Sequence, residues 1–183
     1  RVIIIAAKTS TTAQRILDSA EALFAESGYD GVSLRHITRD AGVELALPNY
    51  YFGTKLELFK SVIERRSEIL NKERMGALTS LQNSSSIDSV IVAFIEPVLR
   101  RTLSGDVGWQ NYSRLVAQTA NSSRWSREIM SHEFDPVALE FVRRTKICFP
   151  SAKDEDIFWG FHFLLGAMTI TFAQTGRIDI LSK

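Results

Sequence analysis

Apolar residues recur at three- and four-residue intervals along nearly all of the 183-residue chain, and few stretches alternate apolar with polar residues between turn formers. A period near 3.6 puts one stripe of side chains on one helical face and cannot line one face of a pleated strand, so the expected fold class is all-α. Ala13, Ile16, Leu17, Ala20, Leu23 and Phe24 form the first stripe, with Thr11 or Thr12 as N-cap and Gly28 as the stop. Ser33 caps a short second helix that turns Leu34, Ile37 and Ala41 inward. Gly42 makes the turn, and a third short helix is expected over 44–51. Beyond Gly53, Thr54 and Glu57 stand three residues apart in the pattern of a capping box, opening a long fourth helix towards residue 81. Polar loops then separate helices expected at 87–103, 108–120, 125–149 with an interruption at Pro136, and 154–175.

Composition removes several classes of function. Lys and Arg number 22 against 21 Asp and Glu, a net charge of +1, so no global field draws a polyanion and any site for one must be local. The lone Cys148 cannot form an intramolecular disulfide, and no cleavable export signal is legible. Residues 1–10 start without Met and are set aside as a disordered or tag-like N-terminus. The run 157–176 contains no Asp, Glu, Lys or Arg and is about long enough to cross a bilayer. Gly160, His162, Gly166, Thr169, Thr171, Gln174 and Gly176 dilute it, and no basic cluster flanks it, so a helix buried on most sides is expected rather than a membrane span. Only His36, His132 and His162 offer imidazole bases. With no nucleophile elbow and no phosphate-cradling glycine loop, and with His132-Glu133 lacking a second histidine, neither an enzyme nor a cofactor or metal is expected.

Two short helices joined by a glycine turn and backed by an amphipathic helix are the minimum of a helix-turn-helix, with Leu34, Ile37, Val43, Leu47 and Phe52 holding it to the first helix. The residues themselves go further. Arg15-Ile16-Leu17-Asp18-Ser19-Ala20, Leu23-Phe24-Ala25-Glu26-Ser27-Gly28-Tyr29, Ser33-Leu34-Arg35-His36-Ile37, Ala41-Gly42-Val43 and Tyr51-Phe52-Gly53-Thr54-Lys55, in this order, resemble the DNA-binding domain of the TetR family. The resemblance implies about nine helices: a DNA-binding domain at 11–60 and a ligand-binding and dimerisation domain at 61–183. It implies a cytoplasmic bacterial repressor, lying on the nucleoid when bound. Its partners would be a palindromic operator, a small and largely apolar effector that releases it, and a second copy of itself. The alternative is a helical interaction protein of the same fold that binds a protein instead of DNA.

Position by position, the resemblance places Ser33, Arg35, Glu44, Leu45, Ala46, Asn49, Tyr50, Tyr51, Thr54 and Lys55 at the DNA, with Glu44 at the capping position of the recognition helix and Lys55 on a phosphate. Lys55 opens a helix, whose N-terminus favours the same anion. Asn49 either pairs with adenine, which an amide matches in two hydrogen bonds, or bonds to phosphate or water. Many family members carry Lys and Gly near Leu45 and Ala46 and Tyr at Asn49, so base preference does not transfer. Residues 1–60 hold seven basic and seven acidic side chains, so Arg35, Arg39 and Lys55 must gather on one face to meet phosphates, or else Arg35 is simply solvated.

Twelve of the 18 aromatic residues lie beyond residue 60. Phe94, Val98, Trp109 and Tyr112 either line an effector pocket or form a plain aromatic core. Pro97 is expected to kink its helix, and His162 to be a core histidine. Phe158, Phe161, Leu165, Met168 and Phe172 follow the three-four spacing of a helix-helix seam and are the expected dimer interface.

Overall fold

The computed structural model describes residues 2–183, and side chains at 11–125 and 127–183, so the expectation for residues 1–10 lies outside the described side chains. Among the described residues every regular element is helical. The order is α1 (Val2–Gly31), α2 (Leu34–Ala41), α3 (Leu47–Phe52), α4 (Lys55–Ser80), α5 (Ile87–Thr102), α6 (Val107–Ala120), α7 (Ser123–Trp125), α8 (Ser131–Cys148), α9 (Asp154–Phe172) and α10 (Arg177–Leu181). A π-helical turn, Ser126–Met130, joins α7 to α8, and taking these three as one interrupted helix gives the expected nine. Gly28 breaks the regular geometry of α1 with φ 69° and ψ 173°. The chain divides into two compact units, 1–66 and 67–183, with the boundary inside α4.

In the first unit α1 packs on α2 and α3, and Ile16, Ala20, Phe24, Ile37, Leu58, Phe59 and Val62 are fully buried. Phe24 and Tyr29 each meet the Phe59 ring edge-on, with centroids 5.0 Å apart. Burying one such side chain is worth about 1.5–3 kcal/mol. Glu21 is buried as well. Its carboxylate accepts from Arg65 Nη2 at 2.7 Å and from Arg66 Nε at 2.7 Å, so the first and fourth helices share a charge that neither can leave unpaired.

In the second unit Leu78, Val90, Ala93, Phe94, Val137 and Phe141 form the core, against which Phe161, Leu164 and Met168 are packed. Pro136 lies inside α8 without ending it, which corrects the interruption expected there. Proline at the sixth position of α8 removes only the one bond that an N–H there would make to the carbonyl of residue 132, and the irregular winding sits upstream in the π-helical turn. The α4 C-terminus is closed from outside: Arg144 donates to the carbonyls of Leu81 at 2.5 Å and Thr79 at 3.1 Å, while its Nε reaches Glu140 at 2.8 Å. Arg143 also forks onto Glu140, with both bonds at 2.7 Å.

The bonds from Arg143 and Arg144 hold the Glu140 carboxyl at a pKa of about 2, below its ordinary 4.5. The pairs therefore contribute stability above about pH 4.5 that is lost as pH falls towards 2. Thermal midpoints measured from pH 6 to 2 should fall through this window, and Glu140→Gln should lower the midpoint at pH 6 while flattening the acid limb.

Candidate nucleic-acid interface

The short helices of the first unit are set by caps and clamps. Ser33 Oγ accepts from the His36 N–H at 3.2 Å, starting α2, and Gly42 ends it in the left-handed region at φ 61°. Arg15 on α1 reaches the same turn, donating to the carbonyls of Ala41 and, at 2.9 Å, Gly42. Ser19 Oγ donates to the Ile37 carbonyl at 3.1 Å in the buried seam between α1 and α2. These two tethers fix the turn to the helix beneath it. Sequence periodicity does not reveal them, because their acceptors are backbone carbonyls 18 to 27 residues away.

The third helix, α3, is shorter than expected. It begins at Leu47, with Ala46 as a cap that lacks a side-chain bond, and Glu44 contributes its backbone carbonyl to the Leu47 N–H at 3.1 Å. This corrects the start at Glu44. Pro48, in the first turn, is buried, and its missing N–H falls where the helix has no acceptor for it. Leu45, Ala46 and Asn49 are exposed, and Tyr50 is 78% exposed. Tyr51 is half-buried between the rings of Tyr50 and Phe52. Arg35 and Arg39 are exposed on α2.

The capping box is present. The Thr54 N–H donates to Glu57 Oε2 at 2.6 Å and Glu57 N–H donates to Thr54 Oγ1 at 3.2 Å. The bond from the Thr54 backbone, with that from its side chain, lowers the Glu57 pKa. Ser33 and Thr54 are thus engaged as caps. Lys55 is half-buried with its ammonium 4.1 Å from the centre of the Tyr29 ring, which steadies a long side chain at the head of α4.

In the second unit Phe94, Val98 and Tyr112 line a cavity of about 200 Å³. Trp109 is buried elsewhere, edge-on to Tyr112 at 5.6 Å with the Arg101 guanidinium 4.4 Å over its ring. Phe161, Leu165, Met168 and Phe172, expected in an intersubunit seam, line the same cavity. An apolar helix of this kind has no polar face to mark which stripe turns inward. The stripe that α9 leaves outside is Trp159 (54% exposed), Phe163 (69%) and Ile170 (74%), with Phe158 half-exposed beside it. His162 is exposed against Trp159, not in the core.

The family model described as "Bacterial regulatory proteins, tetR family" matches residues 16–62, and that described as "Tetracyclin repressor-like, C-terminal domain" matches 92–183. This chain belongs to the TetR family of transcriptional regulators. TetR-family proteins are DNA-binding regulators and not enzymes. The chain is 31% identical over 93 residues to the regulator SrpR of Pseudomonas putida, covering 51% of this chain and 42% of that protein. It is 26% identical over 108 residues to IcaR of Staphylococcus aureus (strain Newman), named a negative transcriptional regulator of a biofilm operon, covering 59% of this chain and 53% of that one. The chain thus spans about half the length of these curated relatives. Among solved structures, the hemolysin II regulator HlyIIR shares the fold at a TM-score of 0.57 and 19% identity, over 93% of this chain and 94% of that one. A regulator from Aquifex aeolicus VF5 does so at 0.59 and 18%, over 92% and 99%.

At Gly53 the TetR-family chain has φ 78°, and a Cβ there would overlap the Glu57 carboxylate at Oε2. Gly53→Ala should therefore strain the backbone and push Glu57 off the Thr54 N–H. Denaturant unfolding should show a loss of about 1–3 kcal/mol, combining left-handed strain with a lost cap.

Proposed function

We propose that this chain is one protomer of a two-fold dimer that binds a palindromic operator, represses transcription there, and is released when a small, largely apolar effector enters the second unit. The exposure of Leu45, Ala46, Asn49 and Tyr50 on and just before α3 carries this proposal, since a monomeric fold has no internal use for a presented apolar and aromatic surface on so short a helix. Arg35 and Lys55 supply phosphate contacts, and Asn49 supplies base discrimination. Repression rather than activation is supported by IcaR, which is named a negative regulator. A DNA partner supports a cytoplasmic location. Among the described residues no helix is long and apolar enough to cross a membrane.

Two-fold assembly is supported by the outer stripe of α9. Trp159, Phe163 and Ile170 are large apolar side chains on one exposed surface, with Gly166 between them to let a second helix approach. The cavity supports an effector site, because its walls are mostly apolar and Ser113, Thr169 and Tyr112 stand among them as polar groups.

Lys55→Ala should weaken binding to operator and random duplex alike, lowering the salt slope by about one, whereas Asn49→Ala should cost about 1–3 kcal/mol of discrimination with less change in random binding. Fluorescence anisotropy across a salt series measures both. An unchanged slope for Lys55→Ala removes the phosphate contact. Phe163→Asp should give a folded monomer by sedimentation at micromolar concentration, because Phe163 is mostly outside its own domain; a dimer that persists places the interface elsewhere.

A further inference from the structure

The cavity of the second unit holds one feature that an effector described only as apolar leaves without a use. Arg74 lines it and is only 5% exposed. Its Nε donates to the Phe94 carbonyl at 2.8 Å, and its guanidinium lies 4.4 Å from the centre of the Phe94 ring. Pro97 stands three residues further along α5 and has no N–H for the carbonyl of Ala93, so the helix ladder is already open one residue before the Phe94 carbonyl. Among the described residues no carboxylate comes within ion-pair distance of Arg74, whereas the half-buried arginines 65, 66 and 101 and the buried Arg144 each bond one. Asp135, the acid of the cavity lining, is exposed at its rim.

Burial lowers the Arg74 pKa to about 10, which still leaves it protonated at neutral pH. A cation removed from water without a counter-charge is costly, and an anion that enters the cavity offsets that cost with charge-assisted, forked hydrogen bonds. Elsewhere the walls are mostly apolar. Phe134, Val137, Phe161, Leu165, Met168 and Phe172 leave room for a hydrocarbon body.

We propose that the cavity takes an anionic amphiphile, a monocarboxylate of medium chain length, with its carboxylate on Arg74 and its chain among the side chains of α8 and α9. A volume of about 200 Å³ lies below the roughly 300–1,000 Å³ of pockets that enclose drug-sized ligands, which favours one short chain over a large ring system. This rests on the second unit being the effector domain, and it replaces the neutral apolar effector with a charged one. Tyr112, whose phenol interacts electrostatically with Arg74, and Ser113, bonded to Thr102 at 2.6 Å, stand beside the headgroup position.

The test is calorimetric titration of the full chain at pH 7 with hexanoate, octanoate and decanoate, each against the alcohol of equal length. The carboxylates should bind one per protomer and at least tenfold tighter than the alcohols, with about fourfold gain per added methylene until the cavity is full, the equivalent of about 0.8 kcal/mol per CH₂. Arg74→Gln should abolish the preference for carboxylate over alcohol, and Arg74→Lys should restore part of it. Leu165→Trp, which fills the cavity and keeps Arg74, should weaken both series if Arg74→Gln does not fold. Equal affinity for acid and alcohol, an unchanged preference in Arg74→Gln, or unaltered binding in Leu165→Trp overturns the proposal. Duplex binding measured on ligand-free aliquots of the same preparations stands apart: retained DNA affinity with no carboxylate binding sinks this inference alone, and carboxylate binding by a protein without DNA affinity in the absence of ligand sinks the operator proposal alone.

Discussion

A helix of six residues does not hold its shape in water, since nucleation fixes three residues for one hydrogen bond and so short a length offers few bonds to repay it. α3 is such a helix, and every property proposed for the first unit depends on its being held. The hold comes from α1. Arg15 grips the carbonyls that end α2, Ser19 ties Ile37, and the buried Glu21 joins α1 to the arginines of α4. Once that frame is rigid, α3 can turn its own side chains outward. Leu45, Asn49 and Tyr50 are exposed because Ile37, Phe24 and Phe59 do the packing.

The second unit solves a different problem, that of a helix apolar on nearly all sides. α9 satisfies one face with Phe161, Met168 and Phe172 around an internal cavity and leaves Trp159, Phe163 and Ile170 outside. On the inner face, side chains from α5, α6, α8 and α9 meet the buried Arg74 around the cavity. The outer face is an apolar patch that water alone would cover poorly. In the proposed reading one helix bears on both an internal ligand and a partner copy, the arrangement needed for a molecule at one site to alter assembly or DNA spacing at another.

Most of the helices were legible because their signals are local. Ser33 with His36 and Thr54 with Glu57 mark their caps within a single turn, and Gly42 marks its stop by a left-handed φ. The start of α3 was not legible, because the turn that leads into it is closed by the carbonyl of Glu44, which any residue supplies equally well. Nor was α10, five residues without a capping side chain. Which face of α9 turns inward was hidden by its uniform apolarity: Phe161, Leu165, Met168 and Phe172 line the cavity, while Phe158 is half-exposed. Trp109 stood near the pocket residues in sequence, yet Arg101 holds it elsewhere, and nothing in the sequence marks Arg74 as the buried cation of its helix.

If a symmetric pair of α3 helices reads DNA, the sites it selects must carry that symmetry. Selection of binding sites by the full-length chain from a pool of random duplexes reads this out without an operator in hand. Sequences with two inverted half-sites should be enriched, their centres about one helical turn, 34–36 Å, or a multiple of it apart. Enrichment of a single asymmetric site, or no enrichment over the starting pool, would contradict the paired reading of DNA by α3.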